Sequence, residues 1–169
     1  MNLQKAIISD LPAMMNIVRQ AQASLKSLGI DQWQNGYPTS EIVRQDIENG
    51  DAYVLTDNGQ VVAMMTVIYN DEPTYDRIYD GEWLSRGDFA VVHRMAVDNR
   101  LRQVGMASFL LQEAEKMAIK KRIPSIKIDT HKGNSPMRRT LEKNGFVYCG
   151  YILLSDGNHR VAYEKLFEK

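Results

Sequence analysis

The sequence predicts a mixed α/β fold in which a largely antiparallel sheet is flanked by helices, and three observations support this class. Two hairpin turns are indicated, at Asn58-Gly59 and at 156–158, each between runs rich in β-branched and aromatic residues. An amphipathic helix is indicated near the N-terminus. The stretch 89–130 has the pattern strand, turn, helix, strand, which is typical of a right-handed crossover between parallel strands.

The N-terminal region predicts a strand followed by a long helix. The strand covers Leu3 to Ile8, and Ser9 or Asp10 is placed to cap a helix that Gly29 ends. The apolar residues of this helix recur at steps of three and four, which indicates one buried face: Leu11, Met14, Val18, Ala21, Leu25 and Leu28.

The middle of the chain predicts a short helix, a hairpin and an irregular stretch. A linker at 30–39 leads to a helix that Ser40 caps and that reaches about residue 49. The hairpin pairs 51–56 with 60–69, because Asn-Gly accepts the positive φ angles of a tight turn. Residues 70–88 carry turn-forming and acidic residues and predict irregular structure.

The C-terminal half predicts five further elements in the order strand, helix, strand, helix and hairpin. Their expected bounds are 89–97 for the first strand, about 121 for the end of the first helix, then 125–130, 137–144 and a hairpin of 146–154 with 159–167. We find no internal repeat and no second set of boundary signals, so one domain over residues 1–169 is expected.

Composition narrows the function classes. A chain of 169 residues with 21 basic and 21 acidic residues gives no indication of a nucleic acid or an anionic membrane as partner. The single cysteine, Cys149, excludes an internal disulfide and is typical of a reducing compartment. The longest apolar run, Val61 to Tyr69, is too short to span a bilayer, and no signal peptide is indicated. We therefore expect a cytoplasmic protein, and no motif predicts a metal site.

The segment 102–107, Arg-Gln-Val-Gly-Met-Ala, lies between a predicted strand and a predicted helix. Backbone N–H groups at such a turn, together with the positive end of the helix dipole, attract a diphosphate. Gly105 and Ala107 keep the amides accessible, and Arg102 supplies a cation. The spacing matches neither a P-loop nor a dinucleotide fingerprint, and the six residues alone are also compatible with an ordinary helix start.

Two motifs in this half of the chain resemble those of one family. Arg102, Gly105 and Ala107 fill the defining places of the pattern Arg/Gln-x-x-Gly-x-Gly/Ala, which binds the pyrophosphate of an acyl-CoA. The segment 134–146 matches Asn-x-x-Ala-x-x-x-Tyr-x-Lys-x-Gly-Phe in length and in most anchors. The chain therefore resembles the GNAT superfamily of N-acetyltransferases. The resemblance implies acetyl-CoA as acyl donor and a sheet whose two central parallel strands splay apart.

The resemblance also implies which residues hold the cosubstrate. The pyrophosphate would be bound by the turn residues Arg102, Gln103, Val104, Gly105, Met106 and Ala107. The pantetheine arm would pair with the strand backbone that splaying leaves without a neighbour, namely that of Met95, Ala96 and Val97. Asn134 would contribute a side-chain amide from the opposite wall.

A protonated amine has a pKa near 10, so acyl transfer to it needs a base. His93 is the candidate, because alternate strand residues share a face and His93 is the one ionisable residue on the face of Val91, Met95 and Val97. Some members of the family place a histidine at the corresponding spot as the base. The alternatives are a core histidine that hydrogen-bonds a backbone carbonyl and a histidine that only lines the pocket. His131 is a weaker base candidate.

The chain departs from the family at Leu141, where many members carry a tyrosine that protonates the departing thiolate. Tyr148 or Tyr151 could replace it, although a thiol pKa near 8.5 makes an acid dispensable. Asp129 could take a proton through water, but a carboxylate at a strand end is more often an ion-pair or capping residue. Arg94 points to the other face of its strand and is expected to be structural or paired with an acid.

The acceptor is expected to contact the parts of the chain that match no motif. In the family these are the first two helices, the linker between them and the loop before the central strand. Aromatic residues near carboxylates there suit a cationic amine, and the candidates are Trp33, Tyr37, Tyr79 and Trp83. The alternative is that the acidic loop is simply solvated and that Trp33 fills the core. We predict a small-molecule or peptide amine as acceptor.

Two other functions stay open on the sequence. A non-catalytic acyl-CoA-binding module would keep the 102–107 turn but lack a working base. A protein lysine or N-terminal acetyltransferase would present an open peptide groove. Homodimers are common in the family, so the resemblance also allows a homodimer formed through the terminal hairpin.

Overall fold

The computed structural model describes residues 1–101 and 105–167. The helices of this part are α1 (Leu11–Ser27), α2 (Ser40–Glu48), α3 (Met106–Lys120) and α4 (Ser135–Lys143). The strands are β1 (Asn2–Lys5), β2 (Ala52–Asp57), β3 (Gln60–Tyr69), β4 (Ala90–Val97), β5 (Ser125–Thr130), β6 (Val147–Leu153) and β7 (His159–Leu166). Short 3₁₀ turns occur at Ile8–Asp10, Pro73–Tyr75 and Asn99–Leu101.

The strands form one sheet in the order β1-β2-β3-β4-β5-β7-β6. The pairs β1-β2, β2-β3, β5-β7 and β6-β7 are antiparallel, whereas β4 and β5 are parallel. A mixed, mostly antiparallel sheet flanked by helices was predicted from the sequence, and this prediction is confirmed.

The chain divides into two compact units. The first consists of Met1–Val67 and His93–Leu110, and the second of Ile68–Val92 and Leu111–Lys169. The buried core of the first unit comes from α1, α2, β2, β3 and β4, and its members are Ala6, Leu11, Met14, Ile17, Val18, Val43, Ile47, Ala52, Val54, Met64 and Ala96. A core cluster of the second unit comprises Tyr75, Val91, Ile152 and Ala162.

Helix ends in the first unit follow from capping groups. The α1 helix ends as predicted, with Gly29 in the left-handed region at φ 71°. Leu28, which we predicted on the buried face, is 61% exposed because it lies in the C-cap position beyond the last helical turn. The α2 helix is capped by Thr39 and not by Ser40, since Thr39 Oγ1 accepts a hydrogen bond of 3.2 Å from the amide of Ile42.

Both hairpin predictions are confirmed. Asn58 and Gly59 have φ angles of 50° and 77°, as a tight turn between β2 and β3 requires. In the turn between β6 and β7, the amide of Asn158 donates to Asp156 Oδ1 at 2.9 Å. The first strand is shorter than predicted, because the chain coils into a 3₁₀ turn at Ile8–Asp10.

Strand β4 is extended at its start and irregular in its middle. Its parallel register with β5 comprises the pairs Ala90 with Ile126 and Val91 with Lys127. Arg94 then adopts φ 48°, a left-handed conformation inside a strand. The strict alternation of faces on which we based the choice of His93 therefore stops at Arg94, and it supports a shared face for Val91 and His93 only. Both register pairs given above for β4 and β5 precede this residue.

The segment 73–89 of the second unit follows strand β6 closely. Tyr79 and Tyr151 exchange backbone hydrogen bonds of 2.9 and 3.0 Å, so the segment pairs with the edge strand of the sheet. Two glycines permit the approach. A Cβ at Gly81 would lie 1.9 Å from the carbonyl oxygen of Cys149, and one at Gly150 would lie 2.4 Å from that of Tyr79.

Asp98 anchors the exit from β4 in the first unit. Its amide donates to the carbonyl of Val62 at 2.8 Å, and its carboxylate accepts from the Arg100 guanidinium at 2.9 Å. Gln20 of α1 contacts the same carboxylate and also accepts from the amide of Asn99 at 2.8 Å. Hydrogen bonding from Arg100 lowers the pKa of Asp98 from 3.8 to about 2.

Replacing Gly81 by alanine tests the close approach of the 73–89 segment. The added methyl group would meet the backbone of Cys149, which cannot move without disturbing β6, so we expect a loss of about 1–3 kcal/mol in the free energy of unfolding. The measurement is urea unfolding. The control is Gly87→Ala in the same segment, where a Cβ has no neighbour within 4 Å. Equal midpoints for the two variants would contradict the expected steric conflict.

Asp98→Asn should reduce stability at neutral pH and lose that effect in acid. The folded state has the lower pKa, so the carboxylate stabilises it above about pH 4, and this contribution disappears as the pH falls through about 2. We expect a difference on the order of 1 kcal/mol, since Arg100 is largely exposed. Urea unfolding between pH 6 and pH 2.5 measures it, with the exposed Asp31→Asn as control. A difference that does not change with pH would refute the assignment.

Candidate active site

The run His93 to Val97 of β4 carries the predicted base and the predicted pantetheine-binding backbone. His93, Arg94 and Met95 are half-buried, whereas Ala96 and Val97 are buried at 7% and 8% exposure. The side chain of Ala96 packs in the core of the first unit. The functional role expected of this run concerns its backbone and the His93 ring, and it stays a prediction.

Arg94 forms an ion pair that joins four parts of the first unit. Its Nη2 donates to Asp46 Oδ1 of α2 at 2.8 Å, and its Nε donates to Asp46 Oδ2. Asp46 Oδ2 also accepts from Thr66 Oγ1 of β3 at 2.9 Å, and Arg94 Nη1 donates to the Tyr37 hydroxyl of the linker at 3.2 Å. The expectation that Arg94 pairs with an acid is confirmed.

Because the Arg94–Asp46 pair is buried, its loss is expected to destabilise the first unit. The side chains of Arg94 and Asp46 are 12% and 9% exposed. Burial by itself would lower the pKa of the Arg94 guanidinium, but the hydrogen bonds and charge of Asp46 raise it, so the guanidinium stays protonated. Removing one partner of such a pair leaves a buried charge without its counter-ion, which typically costs about 3–5 kcal/mol.

The start of α3 holds the predicted diphosphate turn. Arg102, Gln103 and Val104 lie outside the described residues. Gly105 has φ 76°, and a Cβ placed on it has no neighbour within 4 Å among the residues that the structure describes. The α3 helix begins at Met106 and includes Ala107, and a helix start leaves its first amides without intrahelical acceptors. This part of the predicted turn therefore has the features that an anion requires.

Asn134 serves as the N-cap of α4 in the second unit. Its Oδ1 accepts a hydrogen bond of 3.3 Å from the amide of Met137, and Pro136 lies in the first turn. Because Asn134 supplies this cap, the helix begins at Ser135, two residues before the predicted start. Asn134 thus has a structural role, and a role in binding stays a prediction.

The linker aromatics of the first unit differ in exposure. Trp33 is half-buried and packs against the core, as the alternative interpretation expected. Tyr37 is 42% exposed and accepts from Arg94. Gln22 of α1 holds this linker, since its Nε2 donates to the carbonyl of Tyr37 at 2.8 Å and its carbonyl accepts from Gln34 at 3.1 Å.

Three aromatic residues of the 73–89 segment, Tyr79, Trp83 and Phe89, each lie against a cation of the chain. Lys127 Nζ is 4.5 Å from the ring centre of Trp83 and 4.3 Å from that of Phe89. The Arg77 guanidinium is 4.9 Å from the ring centre of Tyr79. The cation–π contact that we expected from an acceptor amine is therefore already made within the protein.

A buried carboxylate attaches this segment to the second unit. Glu164 of β7 is fully buried and accepts from the amide of Leu84 at 2.6 Å, from Ser85 Oγ at 2.5 Å and from Ser125 Oγ at 2.7 Å. Lys127, its register partner on β5, is 4% exposed. Burial lowers the pKa of Lys127, and the charge of Glu164 opposes that shift.

The two tyrosines considered as acids, Tyr148 and Tyr151, both lie on β6 of the second unit. Leu141 is fully buried in α4. Tyr151 is stacked between Tyr79 and His159, with ring centres at 5.2 and 4.5 Å, and Tyr148 is 48% exposed. Neither the stacking of Tyr151 nor the exposure of Tyr148 assigns a proton-donating role to these residues.

Asp129 accepts a hydrogen bond of 2.6 Å from the hydroxyl of Tyr75. Tyr75 is 3% exposed, and burial together with the Asp129 charge raises the pKa of its hydroxyl well above 10. Asp129 is therefore hydrogen-bonded to a tyrosine hydroxyl, and its proposed roles stay predictions. Burial raises the pKa of the Cys149 thiol to about 11, so this thiol is protonated at neutral pH.

Sequence reasoning missed Asp46, Lys127 and Glu164. A signal for Asp46 exists, because it occupies the apolar stripe of α2 between the buried residues Val43 and Ile47. Lys127 lies between the apolar residues Ile126 and Ile128, a pattern typical of a solvated face, and Glu164 precedes the charged Lys165. Both contact the 73–89 segment, which the sequence pattern does not reveal.

Two kinds of site receive no support in residues 1–101 and 105–167. No cluster of three or more His, Cys, Asp or Glu side chains is arranged to hold a metal ion. The helices of these residues are too short or too polar to cross a membrane.

Comparison with known proteins supplies the family. The model of the acetyltransferase (GNAT) family matches residues 17–146. A GNAT-family acetyltransferase of Streptococcus agalactiae 2603 is 34% identical, with a TM-score of 0.90 over 99% of this chain and 96% of that one. A search of curated proteins gave no significant match.

More distant structures share the fold. A GNAT-family acetyltransferase of Listeria monocytogenes 4b F2365 is 20% identical, with a TM-score of 0.74 over 98% of this chain and 94% of that one. The PaiA N-acetyltransferase of Thermoplasma acidophilum, solved in complex with coenzyme A, is 18% identical, with a TM-score of 0.70 over 98% of each chain. Since the family model covers most of the sequence and one structural relative is 34% identical over nearly its whole length, the chain belongs to the GNAT family of acetyltransferases.

Proposed function

We propose that this protein is an N-acetyltransferase that moves an acetyl group from acetyl-CoA to a primary amine of a small molecule or peptide. The observation that carries the proposal is the family match over residues 17–146, which contains both the irregular strand β4 and the start of α3. Because this match includes parts of both compact units, we propose that they belong to one acetyltransferase domain. The lone Cys149 supports a cytoplasmic location.

The described residues fit an acyl-CoA. Gly105 has open space where a side chain would stand, and the first amides of α3 follow it at Met106 and Ala107. Such a turn suits a diphosphate, and the neighbouring Arg102, Gln103 and Val104 complete the proposed set. The backbone of Met95, Ala96 and Val97 would pair with the pantetheine amides, and the family motif assigns Asn134 a contact with the same ligand. When bound, acetyl-CoA supplies an acetyl thioester as acyl donor.

His93 is proposed as the base that prepares the amine. The ring would take a proton from the acceptor ammonium, so that the nitrogen lone pair can attack the thioester carbonyl. A C–N bond then forms and the C–S bond breaks. The attacking nitrogen loses its second proton to solvent, and the departing thiolate takes up a proton from solvent. Direct attack in a ternary complex needs no residue that becomes acylated. The buried, protonated Cys149 thiol is in keeping with that route.

The acceptor is proposed to contact Trp33, Tyr37, Tyr79 and Trp83. Exposed polar residues of these regions that an ammonium could reach include Tyr37, Asp76, Asp80 and Glu82. Binding through the faces of Trp83 and Tyr79 is less favoured, because Lys127 and Arg77 already lie against those rings.

A non-catalytic acyl-CoA-binding protein is the second candidate, and one observation favours it. The family's acidic tyrosine is replaced by Leu141, which is fully buried and cannot donate a proton. Thiol release with a panel of amines separates the two functions, because a binding module would take up acetyl-CoA without releasing CoA.

Gly105→Glu should abolish acetyl-CoA binding. The carboxylate would occupy the open space in front of the α3 amides and repel the diphosphate, so we expect the Kd to rise at least about 100-fold. Isothermal titration with acetyl-CoA and a longer acyl-CoA measures it. The matched control is Gly157→Glu, which has a similar φ of 86° and equally open space in the turn of the terminal hairpin. Unchanged binding by Gly105→Glu, or no binding by the wild type, would refute the cosubstrate site.

His93→Ala should slow turnover without weakening acetyl-CoA binding. Loss of a general base typically lowers kcat by about 10²–10⁴. Thiol release measures turnover and titration measures binding, with His159→Ala in the terminal hairpin as control. If His93→Ala keeps the wild-type rate and pH profile, another group accepts the proton.

A further inference from the structure

We propose that the Arg94–Asp46 pair is a positioning device for acyl-CoA, which fixes the direction of the Met95–Val97 backbone. This inference rests on the proposed function, since it assigns to the pair the geometry of the pantetheine-binding amides. Arg94 and Asp46 would touch neither the cosubstrate nor the reacting atoms, and they are positioning residues.

The backbone of Arg94 needs a stabilising contact. A φ of 48° is uncommon for a residue with a Cβ and is disfavoured within a strand. Strained backbone of this kind persists where surrounding contacts determine it. The bidentate contact of the Arg94 guanidinium with Asp46, extended by its bond to Tyr37, is such a contact.

Asp46 is held in place independently of Arg94. It lies on α2 between Val43, which is fully buried, and Ile47, and its carboxylate also accepts from Thr66 Oγ1 of β3 at 2.9 Å. The carboxylate is therefore fixed by a packed helix and by a neighbouring strand. The Arg94 guanidinium, which donates to both oxygens of this carboxylate, is therefore held in a fixed position as well.

The three residues that follow Arg94 are held from both ends. At one end stands the ion pair, and at the other the amide of Asp98 donates to the carbonyl of Val62 at 2.8 Å. Between them the Ala96 side chain packs in the core of the first unit. Loss of the pair would free one end and allow the backbone of this segment to relax toward a regular strand, which turns its amides.

Two ligands separate the proposed role from general damage. CoA carries the pantetheine arm, whereas 3′-phospho-ADP carries the same nucleotide and diphosphate without that arm. For Asp46→Asn, which keeps the side-chain shape and removes the charge, we expect the Kd of CoA to rise about tenfold and that of 3′-phospho-ADP to stay within about twofold of the wild-type value. Arg94→Gly should behave in the same way, because glycine tolerates the φ angle and lacks the guanidinium.

A second readout needs no ligand. Amide hydrogen exchange at Met95–Val97 should be at least about tenfold faster in Asp46→Asn than in the wild type. Lys165→Met is the control, since it removes the 2.6 Å contact between Lys165 and Glu115 in the second unit and should change neither the CoA Kd nor this exchange rate. Arg94→Lys, which keeps a charge without the bidentate fork, should restore part of the CoA affinity lost in Arg94→Gly.

The outcomes distinguish the inference from the function on which it rests. A wild type that binds neither CoA nor 3′-phospho-ADP overturns the proposed function and the inference with it. A wild type that binds both, with Asp46→Asn weakening the two ligands equally or weakening neither, overturns the inference alone. Selective loss of CoA affinity with faster exchange at Met95–Val97 supports it.

Discussion

The bidentate ion pair between Arg94 and Asp46 is the interaction on which the first unit depends. Antiparallel neighbours and an apolar core account for strands such as β2 and β3, but neither accounts for a left-handed residue within β4. Such a residue interrupts the ladder of backbone hydrogen bonds, and the backbone groups that it releases need other partners. The helix α2 supplies the fixed carboxylate that stabilises the interruption. The irregular conformation of β4 is therefore specified by the tertiary contacts of Arg94 and not by local backbone preference.

In the second unit, a buried carboxylate likewise holds an irregular part of the chain. Its segment 73–89 has little regular structure, so it cannot be held by a ladder of backbone bonds. Glu164 replaces that ladder by accepting three hydrogen bonds from Leu84, Ser85 and Ser125. Gly81 and Gly150 then let the backbones approach within a distance that a side chain would prevent. In each unit one buried carboxylate organises a stretch of chain whose local sequence has no strong preference.

The sequence predicted the parts of the fold that local chemistry determines. The Asn58-Gly59 turn and the Gly29 helix end follow from backbone conformations that few residues adopt, and strand β5 has the predicted bounds. Arg94 could not be recognised as left-handed, because alternation assumes a regular strand and arginine has no preference for positive φ. The GNAT resemblance was available from two motifs, yet Asp46, Lys127 and Glu164 belong to neither. Their positions depend on residues that are distant in sequence, such as the partners at 94, 83 and 84.

Lys127 and Arg77 lie against aromatic rings of the 73–89 segment, and this affects which contacts would be open to the proposed acceptor. We expected Trp83 and Tyr79 to attract an ammonium, but Lys127 and Arg77 already provide that contact within the chain. Lys127 is nearly fully buried, so displacing it would expose Trp83 at the cost of leaving an ammonium beside apolar groups. The proposed acceptor amine would therefore gain more from the exposed carboxylates of the segment than from its rings. Such charge attraction is weaker and less directional than a cage of aromatic rings. The rings then serve mainly to hold the segment in place, and the selectivity proposed for the acceptor would come from the shape that the segment presents.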